Sequence, residues 1–105
     1  MLNHSTLYTL LKSLKMPVAY DHFDEDKTVS PPFMAYREKR KDIFNADNIS
    51  YIGFNNFEIE LVTSKKDVSL EEQLESLLTN NNIPFEKDDE EWDSNEKIYH
   101  IFYEI

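Results

Sequence analysis

The densest group of chemistry-bearing side chains lies at residues 86–96, where seven anions accompany Lys87. Closely spaced carboxylates are the ligands that Ca²⁺ prefers. The run at residues 88–96 lacks the alternating ligands of an EF-hand loop, and its central glycine is missing because the chain has a single glycine, Gly53. We therefore interpret this run as the solvated, self-repelling tip of a β-hairpin and predict no metal site.

The other residues suited to catalysis or metal binding do not form a recognisable motif. His4, His22 and His100 lie on separate predicted elements and lack the spacing of paired metal ligands. Glu58 and Glu60 alternate with apolar residues, which is typical of the outward face of a strand. A single glycine also excludes a phosphate-binding loop, a dinucleotide fingerprint and a nucleophile elbow. We expect no catalytic residues, no cofactor and no enzyme activity.

Composition limits the class of protein and its partners. The 105 residues fit one domain, residues 1–105, since domains most often hold roughly 100 to 150 residues. The absence of cysteine fits a reducing cytoplasm, and no apolar run approaches the roughly 20 residues that cross a bilayer. A formal net charge of −10 repels the phosphate backbone of nucleic acids. We therefore expect neither a nucleic acid nor a membrane as a partner.

Charge is distributed unevenly along the chain. Residues 37–41 hold four cations and one anion, in contrast to the acidic stretch at residues 86–96. Two patches of opposite charge on one chain can meet between neighbouring copies in a head-to-tail ring, where charge fixes the register of the contact more than its affinity. The candidate contact residues are Arg37, Lys39, Arg40, Lys41, Asp88, Asp89, Glu90 and Glu91.

Leucines at helical spacing predict the first helix. They recur at offsets of three, four and seven residues, which places them on one helical face. These residues are Leu7, Leu10, Leu11 and Leu14. Ser5 or Thr6 is the predicted N-cap, and Pro17 predicts that the helix ends at Met16, because proline disfavours helical geometry in the residue before it.

A capping box predicts the start of the second helix. The Ser69 hydroxyl and the Glu72 carboxylate would each accept from the other residue's backbone amide. The apolar stripe of this helix consists of Leu70, Leu74, Leu77 and Leu78. The polar residues 79–82 would end the helix in a turn.

The remaining apolar segments predict strands and hence the fold. Runs of β-branched and aromatic residues lie at 18–23, 33–36, 49–54, 57–63 and 97–105, and residues 83–86 enter a further strand. Asn55 and Asn56 mark either a hairpin turn or a bulge in one long strand. Two helices with one apolar stripe each need a sheet to cover. We predict a two-layer α+β sandwich, with two helices on a mostly antiparallel sheet, in the order α-β-β-β-α-β-β.

Segments along almost the whole chain resemble small tail components encoded in the head-to-tail joining region of siphophages and prophages of Gram-positive bacteria. The pattern also resembles the tail terminators of long-tailed phages. The segments that carry the resemblance are residues 16–23 (MPVAYDHF), 30–36 (SPPFMAY), 42–47 (DIFNAD), 57–67 (FEIELVTSKKD), 83–87 (IPFEK) and 96–99 (EKIY).

The resemblance implies a virion assembly protein, either a tail terminator or a tail-completion component. Such a protein would form a homo-oligomeric, hexameric ring between the tail tube protein and the head connector protein. Its location would be the virion tail, and the host cytoplasm during assembly. A second hypothesis is an acidic inhibitor that mimics DNA and occupies a host nucleic-acid enzyme. Because the cations at 37–41 interrupt the anionic surface that a mimic needs, assembly is the leading hypothesis, and an enzyme ranks third.

Overall fold

The computed structural model describes residues 3–21, 23, 29–39 and 56–105. Its elements are α1 His4–Lys12, β1 Val18–Tyr20, β2 Phe33–Lys39, β3 Asn56–Thr63, α2 Val68–Asn80, β4 Glu86–Asp93 and β5 Ile98–Glu104. The predicted α+β class and the order α-β-β-β-α-β-β are confirmed. No helix in the described part of the chain is long and apolar enough to cross a lipid bilayer.

The five strands form one sheet in the order β1-β2-β3-β5-β4. β1 pairs in parallel with β2, and the other neighbours pair antiparallel. The sheet is therefore mostly antiparallel, as predicted. In this sheet of described strands, β1 and β4 are the two edges.

The hydrophobic core lies between the helices and one face of the sheet. Along β3, Phe57, Ile59 and Leu61 are fully buried, whereas Glu58 and Glu60 turn to the opposite face, which confirms the predicted alternation. Side chains of both helices belong to the same cluster. Its other fully or almost fully buried members are Leu7, Leu11, Met34, Tyr36, Leu74, Leu78, Ile101 and Tyr103.

The boundaries of α1 differ from the prediction at both ends. The N-cap is Asn3, whose side chain accepts a hydrogen bond from the Thr6 amide at 2.9 Å, so Ser5 and Thr6 lie inside the first turn. The helix ends at Lys12, before the predicted end at Met16. The Ser13 hydroxyl donates to the Leu10 carbonyl at 2.6 Å, and Lys15 adopts a positive φ of 61° that a continuing helix cannot accommodate.

The start of α2 also lies upstream of the predicted capping box. Asp67 is the N-cap, and its side chain accepts from the Leu70 amide at 3.1 Å. Ser69 is therefore a helical residue, and the prediction that it caps the helix is wrong. Both Asp67 and Ser69 are good caps by type, and the earlier one extends the helix toward β3.

The leucine stripes are only partly buried. Leu14 and Leu70 pack against the core cluster from its margin. Leu10 and Leu77 are half-buried and lie at the edges of their stripes. The helical spacing therefore predicts the buried face correctly but makes it wider than it is.

The acidic run at residues 88–96 is largely a strand, so its interpretation as a hairpin tip is wrong for residues 88–93 and holds only for the residues that follow. Residues 86–93 form β4, which pairs with β5, and the turn occupies residues 94–97. The Asp93 carboxylate accepts from the amides of Asn95 and Glu96 at 3.0 and 3.1 Å, which fixes this turn. An edge strand needs backbone pairing but no apolar side chains, so its sequence lacks the usual strand pattern.

Two other strand predictions have different outcomes. The first strand ends at Tyr20 and not at residue 23, because Asp21 adopts a positive φ of 67° that breaks the extended backbone. The predicted strand at 49–54, Gly53, His22 and the choice between a turn and a bulge at Asn55 lie outside the described residues.

The burial of α2 predicts a large cost for truncating Leu74. We expect Leu74→Ala to lower the free energy of unfolding by about 2 to 5 kcal/mol, because it leaves a cavity between helix and sheet. Gln73→Ala, on the exposed side of the same turn, is the control and should change stability little. Urea titrations that show equal stability for the two variants would contradict this packing.

Candidate assembly interface

The acidic residues of β4 lie on an edge of the sheet. Its register with β5 shifts between Lys87 and Glu90, which leaves Asp88 and Asp89 at an irregularity of the edge strand. Both side chains are exposed, and neither has a hydrogen bond or ion pair among the described residues. These two carboxylates are therefore available to a partner.

The next two acids have different environments. Glu90 accepts a hydrogen bond from Lys66 at 2.5 Å and lies 3.8 Å from Lys87, so it is already paired within its own chain. Glu91 is exposed and stands opposite His100 in the β4–β5 register. Of the four predicted acidic contact residues, Glu90 is thus the one whose charge has a structural use.

Two lysines surround a carboxylate that is buried on the inner face of α2. Glu71 is only 2% exposed. The Lys87 ammonium donates to Glu71 Oε1 at 2.5 Å, and the Lys66 ammonium lies 3.1 Å from each carboxylate oxygen. The Lys66 contact with Oε2 is an ion pair without hydrogen-bond geometry. Because a buried charge without a partner is strongly unfavourable, these lysines tie α2 to β4.

Glu75 and Tyr103 extend this network into the core. The Tyr103 hydroxyl donates to Glu75 Oε2 at 2.7 Å, and Lys87 lies 3.4 Å from the same oxygen. Burial, followed by the hydrogen bond to Glu75, raises the pKa of Tyr103 and keeps its hydroxyl a donor. Burial acts to lower the pKa of Lys87, but the carboxylates of Glu71 and Glu75 outweigh it and the pKa rises.

These network residues were not predicted as a site. A signal was present, because Glu71 precedes Leu74 by three residues and Leu78 by seven, which places it on the same helical face as these buried leucines. A carboxylate at such a position requires cations from neighbouring elements. The sequence does not show that Lys66 and Lys87 supply them, because that pairing depends on the sheet order.

The basic stretch begins within β2. Arg37 donates to Glu58 Oε1 on β3 through Nη2 at 2.8 Å and through Nε at 3.1 Å, while its side chain remains 56% exposed. Lys39 ends β2. Arg40 and Lys41 lie outside the described residues.

The strand order separates Arg37 from the acidic residues of β4 within one chain. β3 and β5 separate β2 from β4, a distance of about 14 Å for three strand spacings. Arg37 therefore cannot reach Asp88 or Asp89 of its own chain. A contact between these two groups requires a second copy.

A shallow groove of about 350 Å³ lies on the sheet face opposite the helices, beside β4. The His100 ring contacts Glu60 Oε2 at 2.5 Å and stacks on Phe102 at 6.4 Å between centroids. Glu91 and Asp93 also line this groove. Among residues 3–21, 23, 29–39 and 56–105, no three His, Cys, Asp or Glu side chains converge to hold a metal ion.

The ion pair between Lys66 and Glu90 predicts a pH-dependent stability. The Lys66 hydrogen bond lowers the pKa of Glu90, so ionised Glu90 stabilises the fold above its ordinary value of 4.5, and this contribution is lost as the pH falls through the lower folded-state pKa. We expect Glu90→Gln to lower the melting temperature at pH 7, and the difference from the parent to close in acid. Glu91→Gln on the same strand is the control. A difference between parent and Glu90→Gln that does not change from pH 7 to acid would contradict this role.

The chain matches no protein-family model, and comparison with curated proteins and with solved structures gave no match.

Proposed function

We propose that this protein is a virion assembly protein that forms a homo-oligomeric ring at the head-proximal end of a long phage tail, as a tail terminator or tail-completion component. The observation that carries the proposal is the pair of chemically different edge regions. β4 displays Asp88 and Asp89 on one edge of the sheet, whereas the basic stretch begins at Arg37 near the other edge. This arrangement suits copies that contact each other head to tail.

The charge of β4 favours a head-to-tail contact over a two-fold dimer. A two-fold axis at this edge would place the carboxylates of two copies opposite each other, and like charges directly opposite are unfavourable. The register shift also disturbs the regular ladder that edge-to-edge pairing needs. A contact between the acidic edge and a different patch avoids both costs, and repetition of such a contact closes a ring.

The ion pairs of this contact select orientation more than they supply affinity. Exposed pairs contribute about 0 to 1 kcal/mol each, so apolar and backbone contacts must provide most of the binding energy. The proposed partners are further copies of the chain, the tail tube protein and the head connector protein. The protein would act in the virion tail and, during assembly, in the host cytoplasm.

The acidic environment of β4 also bears on the rival hypothesis of a DNA mimic. A mimic needs a continuous anionic face, but Lys66 and Lys87 lie among Glu71, Glu75 and Glu90 and neutralise part of that face. The interleaved lysines therefore favour the assembly hypothesis. They do so independently of the basic stretch at residues 37–41.

Reversal of two cations tests the proposed contact. We expect Arg40→Glu with Lys41→Glu to leave the fold intact but to weaken self-association or binding to purified tail tubes roughly tenfold, because attraction becomes repulsion. Addition of Glu91→Lys, at another exposed acid of β4, to the same chain should restore part of this binding. Sedimentation velocity and co-sedimentation with tail tubes at low salt measure both effects, since charge effects are largest there.

The control makes the same change in net charge at another surface. Lys15→Glu with Lys97→Glu alters exposed residues in the turn after α1 and in the turn between β4 and β5. The contact assigned to the basic stretch is wrong if the variant at residues 40 and 41 assembles as well as the parent. It is also wrong if this variant and the control lose the same amount of assembly.

A further inference from the structure

A cluster of aromatic side chains lies where α1 meets β1 and β2. The Tyr20 ring lies 4.5 Å from the His4 ring and 5.3 Å from the Tyr36 ring, and Tyr8 lies 6.4 Å from Tyr36. The Tyr36 hydroxyl is 3.3 Å from the ring nitrogens of His4. We call His4, Tyr8 and Tyr20 the aromatic patch, because they surround the buried Tyr36 and face outward.

Two tyrosines of the aromatic patch are partly exposed and lie over a buried one. Tyr8 and Tyr20 are 40% and 44% exposed, in contrast to 1% for Tyr36 beneath them. Their hydroxyls have no hydrogen-bond partner in the described part of the chain. Tyrosines held in place by a rigid neighbour lose little conformational entropy on binding, and for this reason they are enriched in protein interfaces.

The position of the patch connects it with the basic stretch. Tyr20 pairs with Tyr36 in the parallel β1–β2 register, and Arg37 follows Tyr36 directly. β1 is the edge of the described sheet opposite β4. The aromatic patch and Arg37 therefore lie near the same edge but on opposite faces of the sheet, and the acidic strand lies at the other edge.

The two edges are complementary in hydrogen bonding. The hydroxyls of Tyr8 and Tyr20 can donate, whereas ionised carboxylates such as those of Asp88 and Asp89 only accept. Hydrogen bonds from a hydroxyl to a carboxylate are short and stronger than neutral ones. The 49%-exposed Trp92 on β4 adds apolar surface to the acidic edge. Each edge thus offers the groups that the other lacks.

We propose that the aromatic patch of one copy binds the acidic β4 edge of the next copy, with the hydroxyls of Tyr8 and Tyr20 donating to Asp88 and Asp89. This inference rests on the proposed ring and identifies the surface that supplies affinity at its contact. The second copy is the occupant because its β4 edge carries both unpaired acceptors and exposed aromatic surface.

Two complementary variants test this contact. Tyr8→Ala with Tyr20→Ala removes the aromatic patch, and Asp88→Lys with Asp89→Lys removes the acceptors. Each full-length variant alone should sediment as a monomer under conditions in which the parent associates. An equimolar mixture should form a 1:1 complex that does not grow, because the mixture retains one intact contact per pair of chains.

Further variants separate the interaction from the fold. Tyr8→Phe with Tyr20→Phe keeps the rings and should weaken self-association about tenfold or more through loss of the hydroxyls alone. Val68→Ala, which removes an exposed apolar side chain on α2, is the control and should associate like the parent. Circular dichroism melts verify that each variant is folded.

Three results would overturn the proposal. The first is a parent that stays monomeric at a concentration of about 1 mM. The second is a tyrosine variant that associates like the parent, and the third is a mixture that forms no complex. If the tyrosine variants assemble normally but reversal of Arg40 and Lys41 abolishes assembly, the aromatic contact is wrong and the ring remains. If the parent neither self-associates nor binds tail tubes, both proposals fail.

Discussion

The burial of the Glu71 carboxylate is the constraint on which the arrangement of this protein depends. A charge on the inner face of α2 must be compensated, and Lys66 and Lys87 supply two ammonium groups from the segment before the helix and from β4. Lys87 belongs to β4, so its pairing with Glu71 holds β4 against the helix although almost all residues of this strand are charged. β4 has little apolar surface to hold it in the sheet, so this network and its backbone pairing with β5 fix its position.

The same constraint divides the acids of β4 into two groups with different uses. Glu90 bonds Lys66 and stabilises the fold, whereas Asp88 and Asp89 lie at the register shift with exposed side chains. An acidic, irregular edge resists pairing with a copy of itself. It remains available to a surface that offers donors, and the tyrosines at the opposite edge of the sheet offer them. The acids of β4 therefore oppose edge-to-edge pairing of two β4 strands and also provide the acceptors for the proposed head-to-tail contact.

The elements that sequence predicted well are those whose pattern reflects burial. The alternation around Ile59 and the leucine spacing around Leu74 record which side faces the core, and the fold class follows from them. β4 escaped prediction because its stability comes from backbone pairing and from ion pairs with residues distant in sequence. The helix caps were misplaced because Asn3 and Asp67 compete with equally suitable residues downstream. Local preference cannot rank such alternatives.

The candidate interface was predicted only in part, for a related reason. The sequence shows that the cations and acids lie in separate segments. The sheet order then places Arg37 near one edge of the sheet and the acids of β4 at the other. The aromatic patch has no sequence signature, since Tyr8 and Tyr20 come together only when α1 packs beside β1. Glu90 illustrates the converse, because an acid that appears available in the sequence is paired in the fold.

The central claim is that copies associate head to tail through opposite edges of the sheet. Because the chain has no cysteine, single cysteines can report this contact without background. We expect an oxidised mixture of Ser5→Cys and Glu86→Cys chains, whose exposed cysteines flank the aromatic patch and the acidic acceptors and leave both intact, to yield mainly the mixed disulfide dimer, measured by intact mass after labelling one variant with ¹⁵N. Disulfides between identical variants that form as often as mixed ones, as random collision would give, would contradict the account.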